Sequence, residues 1–201
     1  DDGADIIYKC GDEEGLYVST DDGITWAERL DEGMPAELNL VKFGDNGALY
    51  VSGSKHAGLL RYDETSEQWI QVGVPEYAIQ GIHAVPNTDV VLVATDDSLF
   101  RSTDKGMTWQ RANGGIDHPF FSGVGQYGNE VVAMNEFTGF YFSSDLGQYW
   151  SQGDGTLPAN LVSNMITTNH NKIFVTTGYE IAMSPNKGVS WASYVQGLPA
   201  Q

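Results

Sequence analysis

An eight-residue sequence motif, Ser-x-Asp-x-Gly-x-x-Trp, which we call the repeated phrase, recurs along the chain and constrains its fold more than any other feature. Its five copies are STDDGITW, YDETSEQW, STDKGMTW, SSDLGQYW and SPNKGVSW, which end at Trp26, Trp69, Trp109, Trp150 and Trp191. The second copy, YDETSEQW, is degenerate. The tryptophans are therefore 43, 40, 41 and 41 residues apart. A period near 40 residues, with short strands between the copies, is typical of β-propellers.

Each repeat can be divided into four short strands, which we call A to D, with the phrase between strands C and D. Runs such as VVLVA and GFYFS are rich in β-branched and aromatic residues, and Gly, Asn and Asp separate them, as expected for strands joined by tight turns. No stretch shows a helical period with caps. The sequence predicts an all-β, five-bladed β-propeller in a single domain over residues 1–201, with blades at about 1–30, 38–72, 79–112, 120–153 and 161–195.

The repeats supply five copies of strands B, C and D but only four of strand A. Two interpretations are open: a five-bladed ring that closes with an incomplete first blade, or a piece of a larger ring or of an assembly closed by a partner chain. Because an open propeller would leave unpaired strand edges, which aggregate readily, the five-bladed ring is favoured.

The chain is strongly acidic, with 27 Asp and Glu against 10 Lys and Arg and a net charge of −17. This charge repels phosphate backbones and anionic lipid surfaces, so nucleic acid and membrane partners are not expected. No apolar run approaches the roughly 18 residues of a membrane helix, so membrane insertion is not expected either. The single cysteine, Cys10, excludes an internal disulfide, and we expect it to be a small buried core thiol, with a reactive or intermolecular thiol as the alternative.

The repeated phrase resembles the Asp-box, or BNR, repeat family, which includes sialidases and other glycoside hydrolases, sortilin-type receptors, photosystem II assembly factors and bacterial surface proteins. The resemblance implies that the phrase is the turn between strands C and D. There the Asp accepts backbone hydrogen bonds, the Gly permits a positive φ, and the Trp packs on neighbouring strands. The residues expected to have these structural roles are Asp21, Gly23, Trp26, Trp69, Asp104, Gly106, Trp109, Asp145, Gly147, Trp150, Asn186, Gly188 and Trp191.

Sialidases of that family resemble one another in an Arg-Ile-Pro motif and in a triad of arginines that grips the substrate carboxylate. This sequence has no Arg-Ile-Pro, and its arginines all fall on strands C or D near the rim, at Arg29, Arg61, Arg101 and Arg111. Sialidase activity is therefore not expected.

The loops between strands B and C and the connections from strand D to the next strand A gather acidic and aromatic residues. Loops on a rigid scaffold are the usual carriers of sites, and an acidic, aromatic mouth suits sugar stacking, a cation or a basic partner. The alternative is that these loops are solvated and bind nothing. The candidate ligand-binding residues are Glu13, His56, Tyr77, Asp97, His118, Phe137 and Tyr179.

Three carboxylates at similar places in the B–C loops of different blades are candidates for glycosidase chemistry: Asp96, Glu136 and Glu180. A retaining enzyme needs such a pair about 5–5.5 Å apart and an inverting enzyme about 6.5–9.5 Å apart. The four histidines have no metal-ligand spacing, so no metal site and no cofactor are predicted. Calcium is possible in the loops, with oxygen ligands from Asp12, Glu13, Asp96 and Asp97, although no EF-hand spacing is present.

The sequence predicts a non-catalytic binding or scaffold propeller that recognises a glycan or a protein at the loop-lined mouth of the ring. An extracytoplasmic location (secreted, periplasmic or at the cell surface) is expected. The alternative from another class is a glycoside hydrolase that uses paired carboxylates in the central cleft. A third hypothesis is an assembly factor that holds a partner during maturation. The pattern predicts no oligomeric state.

Overall fold

The fold is a five-bladed β-propeller built from five small antiparallel sheets. The computed structural model describes residues 6–11, 15–29, 33–35, 37–44, 48–53, 58–74, 77–117, 120–155, 157, 162–168, 171–177 and 181–193. Within these ranges the chain forms strands and turns without a helix, and so contains no helix that could cross a membrane. The all-β, five-bladed architecture predicted from the repeats is confirmed.

The sheets follow one another in chain order, and we number them as blades 1 to 5. Blade 1 contains β1 (Ile7–Gly11), β2 (Gly15–Ser19) and β3 (Ala27–Arg29). Blades 2 and 3 contain β4 (Leu38–Phe43), β5 (Leu49–Gly53), β6 (Leu59–Asp63), β7 (Gln68–Gly73), β8 (Ile79–Ala84), β9 (Val91–Thr95), β10 (Leu99–Ser102) and β11 (Gln110–Arg111). Blades 4 and 5 contain β12 (Phe121–Tyr127), β13 (Glu130–Asn135), β14 (Gly139–Ser143), β15 (Ser151–Gln152), β16 (Val162–Thr168), β17 (Lys172–Thr177), β18 (Ile181–Ser184) and β19 (Ala192–Ser193).

Every blade is a simple meander, so its strands pair in chain order. The three described strands of blade 1 correspond to B, C and D of the repeat, and blades 2 to 5 have all four strands. Because successive strands run in opposite directions, the A–B and C–D turns lie at one end of a blade, and the B–C loops and D–A connections lie at the other. The last two strands of blades 3 to 5 are joined by the repeated phrase, and their D strands are only two residues long.

The hydrophobic core consists of layers between neighbouring blades. The B strands β5 and β9 are buried along their whole length, which is why they read as continuous apolar runs. One layer joins blades 3 and 4 through Leu92, Val124 and Trp150. Cys10 packs against the layer between blades 1 and 2 and is half-buried, so it is less enclosed than the sequence predicted.

Glycines allow the inner strands of blades 3, 4 and 5 to approach one another closely. A Cβ at Gly81 would lie 3.0 Å from the Val124 backbone nitrogen, and one at Gly125 would lie 2.5 Å from Thr167 Oγ1. Larger residues would force the inner strands apart. Gly123 and Gly125 of β12 are therefore explained by packing between the inner strands.

Candidate functional site

The repeated phrase forms a turn with a defined set of hydrogen bonds. In blade 3, Ser102 Oγ donates to Asp104 Oδ1 at 2.7 Å and accepts the Gly106 N–H at 2.8 Å. Asp104 also accepts the Thr108 backbone N–H on Oδ1 and the Thr108 hydroxyl on Oδ2, at 2.8 and 2.6 Å. These bonds, the one from the Thr108 hydroxyl most of all, lower the pKa of Asp104 to about 2. The equivalent bonds of Asp21 in blade 1 have the same effect.

The tryptophans of these turns hold neighbouring blades together rather than form a site. Trp150 is 1% exposed and donates its indole N–H to the Ala112 carbonyl of the preceding blade at 2.9 Å. Trp109 likewise donates to the Val72 carbonyl. Trp26 differs, because it is 37% exposed and its indole N–H bonds within its own turn. Trp109 and Trp150 thus contact the preceding blade, whereas Trp26 is more exposed.

The inner strands β4, β8, β12 and β16 line a cavity of about 250 Å³ on the propeller axis. A second cavity of about 260 Å³ shares Lys42, His83 and Thr167 with the first and lies towards the A–B turns. No carboxylate is among the described residues that line either cavity. Asp96 and Glu136, two of the catalytic candidates, are instead exposed in their B–C loops, and Glu180 lies outside the described residues.

At the end of the propeller that carries the B–C loops and D–A connections, blade 3 has a polar cluster around Arg111. Its Nη2 donates to Asp97 Oδ2 at 2.9 Å and to the Tyr77 hydroxyl at 2.8 Å, and its Nη1 donates to Ser98 Oγ at 2.7 Å. The bond to Tyr77 is the largest of the effects that raise the pKa of Arg111. The ring of Tyr77 packs on Phe100 with centroids 5.1 Å apart. The structure thus joins two predicted ligand-binding residues, Tyr77 and Asp97.

Arg111 was missed as a member of this cluster, because the sequence pattern assigned it to a strand at the rim. The strand that carries it, β11, is only two residues long. Arg111 pairs across the sheet with Phe100 and therefore lies beside the B–C loop of its own blade. Only a few residues separate Trp109 from the D–A connection that follows it. This short spacing is the signal in the sequence that could have placed Arg111 beside the B–C loop.

An exposed aromatic pair lies at the same end of the next blade. Phe120 precedes β12 and is 53% exposed, and Phe137 lies in the B–C loop of blade 4 and is 74% exposed. Their rings meet edge to face, with centroids 5.8 Å apart. The side chain of Asn135 fixes this loop, because its Oδ1 accepts the backbone N–H groups of Phe137 and Thr138 at 2.9 and 3.0 Å.

The other predicted ligand-binding residues lie outside the part of the chain that the structure describes: Glu13, His56, His118 and Tyr179. Of the four calcium candidates, Asp12 and Glu13 also lie outside it, and Asp97 is paired with Arg111. The described residues contain no group of three or more side chains that could hold a metal ion.

No protein-family model matches the sequence, and no curated protein matches it. Solved structures do match. An ancestral GH74 enzyme superposes with a TM-score of 0.69 at 18% identity over 98% of this chain and 30% of its own. The extracellular domain of BT4673 from B. thetaiotaomicron gives 0.67 at 16% identity over 90% of this chain and 26% of its own. YCF48 bound to D1 peptide gives 0.62 at 18% identity over 94% of this chain and 65% of its own.

The chain therefore spans less than two thirds of the length of each of these proteins. The neighbours include an enzyme, an extracellular domain and a protein solved with a bound peptide. At identities below 20%, their likeness establishes that this chain has the β-propeller fold.

Proposed function

We propose that this chain is a non-catalytic binding module that recognises a glycan or a protein at the mouth formed by its B–C loops and D–A connections. The observation that carries the proposal is the exposed edge-to-face pair of Phe120 and Phe137. Single exposed apolar side chains are common on protein surfaces, but two aromatic rings held together in contact form a platform of apolar area. Such a platform suits the apolar face of a sugar or an apolar side chain of a protein.

Two features support preorganisation of this mouth. The bonds from Asn135 Oδ1 hold the loop that carries Phe137, so that less conformational entropy is lost on binding. In the adjacent blade, the bonds of Arg111 to Tyr77 and Asp97 present hydroxyl, guanidinium and carboxylate groups together. Polar groups at fixed positions beside an apolar platform are the usual composition of a ligand site.

The alternative is a glycoside hydrolase with Asp96, Glu136 and Glu180 as its catalytic carboxylates, and the likeness to GH74 enzymes favours it. The lining of the axial cavities argues against a pair in the central cleft, since its described residues include no carboxylate. Release of reducing ends from a glycan that the protein binds, lost in Glu136→Gln, would support the hydrolase and refute the non-catalytic proposal.

Three finer assignments belong to the same proposal. The repeated turn is the Asp-box of the BNR family, because its Ser, Asp and Gly make a common set of bonds in blades 1, 3 and 4. The protein acts outside the cytoplasm, in keeping with the extracellular domain among its structural neighbours. Its ligand is a glycan or a protein and not a nucleic acid, because the net charge of −17 repels phosphate.

The test is a glycan array and a pull-down with the wild-type chain, Phe120→Ala, Phe137→Ala and a matched control. The control is Ile24→Ala, because Ile24 is an exposed apolar residue in a C–D turn, at the other end of a blade. We expect saturable binding that both Phe variants weaken by about tenfold or more and that Ile24→Ala leaves unchanged. Binding that survives in both Phe variants would refute the assignment of the site to this mouth.

A further inference from the structure

Arginines bridge the blades at two successive junctions. Arg61, the residue just before the C–D turn of blade 2, donates from Nη1 to the Lys105 carbonyl of blade 3 at 3.3 Å. Arg101, the residue just before the C–D turn of blade 3, donates from Nε to the Leu146 carbonyl of blade 4 at 2.7 Å. Lys105 and Leu146 occupy the same place in the repeated phrase, between the Asp and the Gly. The same arginine contact is thus repeated from blade to blade.

The next junction lacks this arginine and leaves an open groove. At the equivalent position, blade 4 has Phe142, and the cavity between blades 4 and 5 has a volume of about 380 Å³. Lys187 occupies the place in the turn of blade 5 that Lys105 and Leu146 occupy in theirs. Its Nζ lies 4.7 Å from the centre of the Phe142 ring and pairs with Glu130, on the blade 4 side of the groove.

The second carboxylate oxygen of Asp145, in this groove, lacks a hydrogen-bond donor because the repeated phrase differs at one position in blade 4. In blades 1 and 3 a threonine hydroxyl donates a hydrogen bond to the second carboxylate oxygen of the turn Asp, as Thr108 does to Asp104. In blade 4 Tyr149 stands at the place of that threonine, and the side-chain bonds of Asp145 all end on Oδ1. Asp145 Oδ2 therefore accepts no hydrogen bond within the described part of the chain.

Further groups of the groove suit a cation. Asp154 is an exposed carboxylate on its wall, and Tyr149, also on its wall, is 61% exposed. Glu130, Asp145 and Asp154 place three carboxylates in the lining against the single ammonium of Lys187. The net charge of −17 adds a long-range attraction for basic partners.

We propose that the groove between blades 4 and 5, a junction without the bridging arginine of the two preceding ones, binds an arginine side chain of a partner protein. A guanidinium has donors on both edges and a flat face, so it can pair with the carboxylates of Asp145 and Asp154 and lie against the ring of Tyr149. Neither Phe120 nor Phe137 lines this groove, so failure of the proposal would leave the site proposed at that aromatic pair untouched.

The probe is a fluorescein-labelled Gly-Ser peptide with two arginines, and its neutral counterpart carries citrulline in their place. Fluorescence anisotropy at near-physiological ionic strength measures binding to the wild-type chain, Asp154→Asn, Tyr149→Ser and Glu64→Gln. Glu64→Gln is the matched control, because it removes the same charge from an exposed turn of blade 2, outside the lining of the groove. Phe137→Ala reports whether the peptide uses the mouth instead.

We expect the arginine peptide to bind about tenfold more tightly than the citrulline peptide, since hydrogen bonds between charged groups are roughly twice as strong as neutral ones. Asp154→Asn should weaken binding by about tenfold, and Tyr149→Ser by a few-fold. Glu64→Gln and Phe137→Ala should change it by less than about twofold. Equal affinity for both peptides, or equal losses in Asp154→Asn and Glu64→Gln, would overturn the proposal.

A second variant tests the comparison between junctions directly. Phe142→Arg gives blade 4 the residue that blade 3 has at this position, and its guanidinium should fill the groove from within. We expect this variant to lose binding of the arginine peptide while its circular dichroism spectrum stays that of the wild type. A folded Phe142→Arg protein that binds the peptide as well as the wild type would contradict the equivalence. If the variant does not fold, Asp154→Asn and Tyr149→Ser decide the question.

Discussion

Replacing Trp150 by alanine should cost far more stability than the same change at Trp26, although both residues end a copy of the same phrase. Trp150 is 1% exposed, and its indole N–H bonds to the Ala112 carbonyl of the preceding blade at 2.9 Å. Trp26 is 37% exposed and bonds to the Gly23 carbonyl of its own turn at 3.0 Å. Since the two substitutions remove the same atoms from the same repeat position, the difference between them isolates the packing between blades.

The magnitude follows from burial. Truncating a buried Trp to Ala costs about 3–5 kcal/mol, and we expect about 4 kcal/mol for Trp150→Ala, because the Ala112 carbonyl also loses its buried donor. For Trp26→Ala we expect about 1 kcal/mol, because much of its ring is already in water and no interior cavity forms. In a domain of this size, these losses correspond to falls in Tm of about 8–16 °C and about 2–4 °C.

Urea unfolding followed by far-ultraviolet circular dichroism is the appropriate assay, because it does not depend on the fluorophore that the substitutions remove. Trp150→Phe keeps most of the apolar contact but loses the indole donor, so it should fall between the wild type and Trp150→Ala. Equal losses of stability in Trp150→Ala and Trp26→Ala would refute the reasoning that the phrase stabilises the fold through the preceding blade.

Three further outcomes are expected. Because the folded pKa of Asp104 is lowered from 3.8 to about 2, its bonds stabilise the fold above the unfolded pKa, and that stability should be lost as the pH falls from about 4 to about 2. Thr108→Val should raise this pKa, as NMR titration of the carboxyl group would show. Gly155→Ala should lower the urea midpoint, because its Cβ would lie 2.5 Å from backbone of the blade 5 turn, and an unchanged midpoint would contradict that contact. Arg101→Ala should cost about 1 kcal/mol in urea unfolding through its lost bond to Leu146, and Arg101→Lys should not restore it.

The blades and their turns could be predicted from the sequence because both depend on local patterns. Runs rich in β-branched and aromatic residues mark strands such as β9 and β14, and their observed bounds lie within one residue of those expected from VVLVA and GFYFS. The bonds that define the turn of blade 3 join residues no more than four apart, such as Ser102 with Gly106. The degenerate copy YDETSEQW forms a different turn, since Tyr62 and Trp69 pair directly across the hairpin.

The candidate mouth could be predicted only in part. Phe137 was expected to be a ligand-binding residue and lies exposed in its loop, but its contact with Phe120 joins residues from two different connections. Tyr77 and Asp97 were expected separately, and Arg111 brings them together through a side chain whose direction the repeat does not encode.

By itself, the sequence determined the number of repeats, the strands and the composition of the turns, since these follow from periodicity and from hydrogen bonds between near neighbours. Tertiary structure alone decided which tryptophans are buried, which arginines bridge blades and where a groove remains open. Those outcomes depend on contacts between residues about one repeat apart, such as Trp150 with Ala112 and Arg101 with Leu146. The physical reason is that a blade cannot bury its apolar face alone, so each side chain's environment is completed by the neighbouring blade.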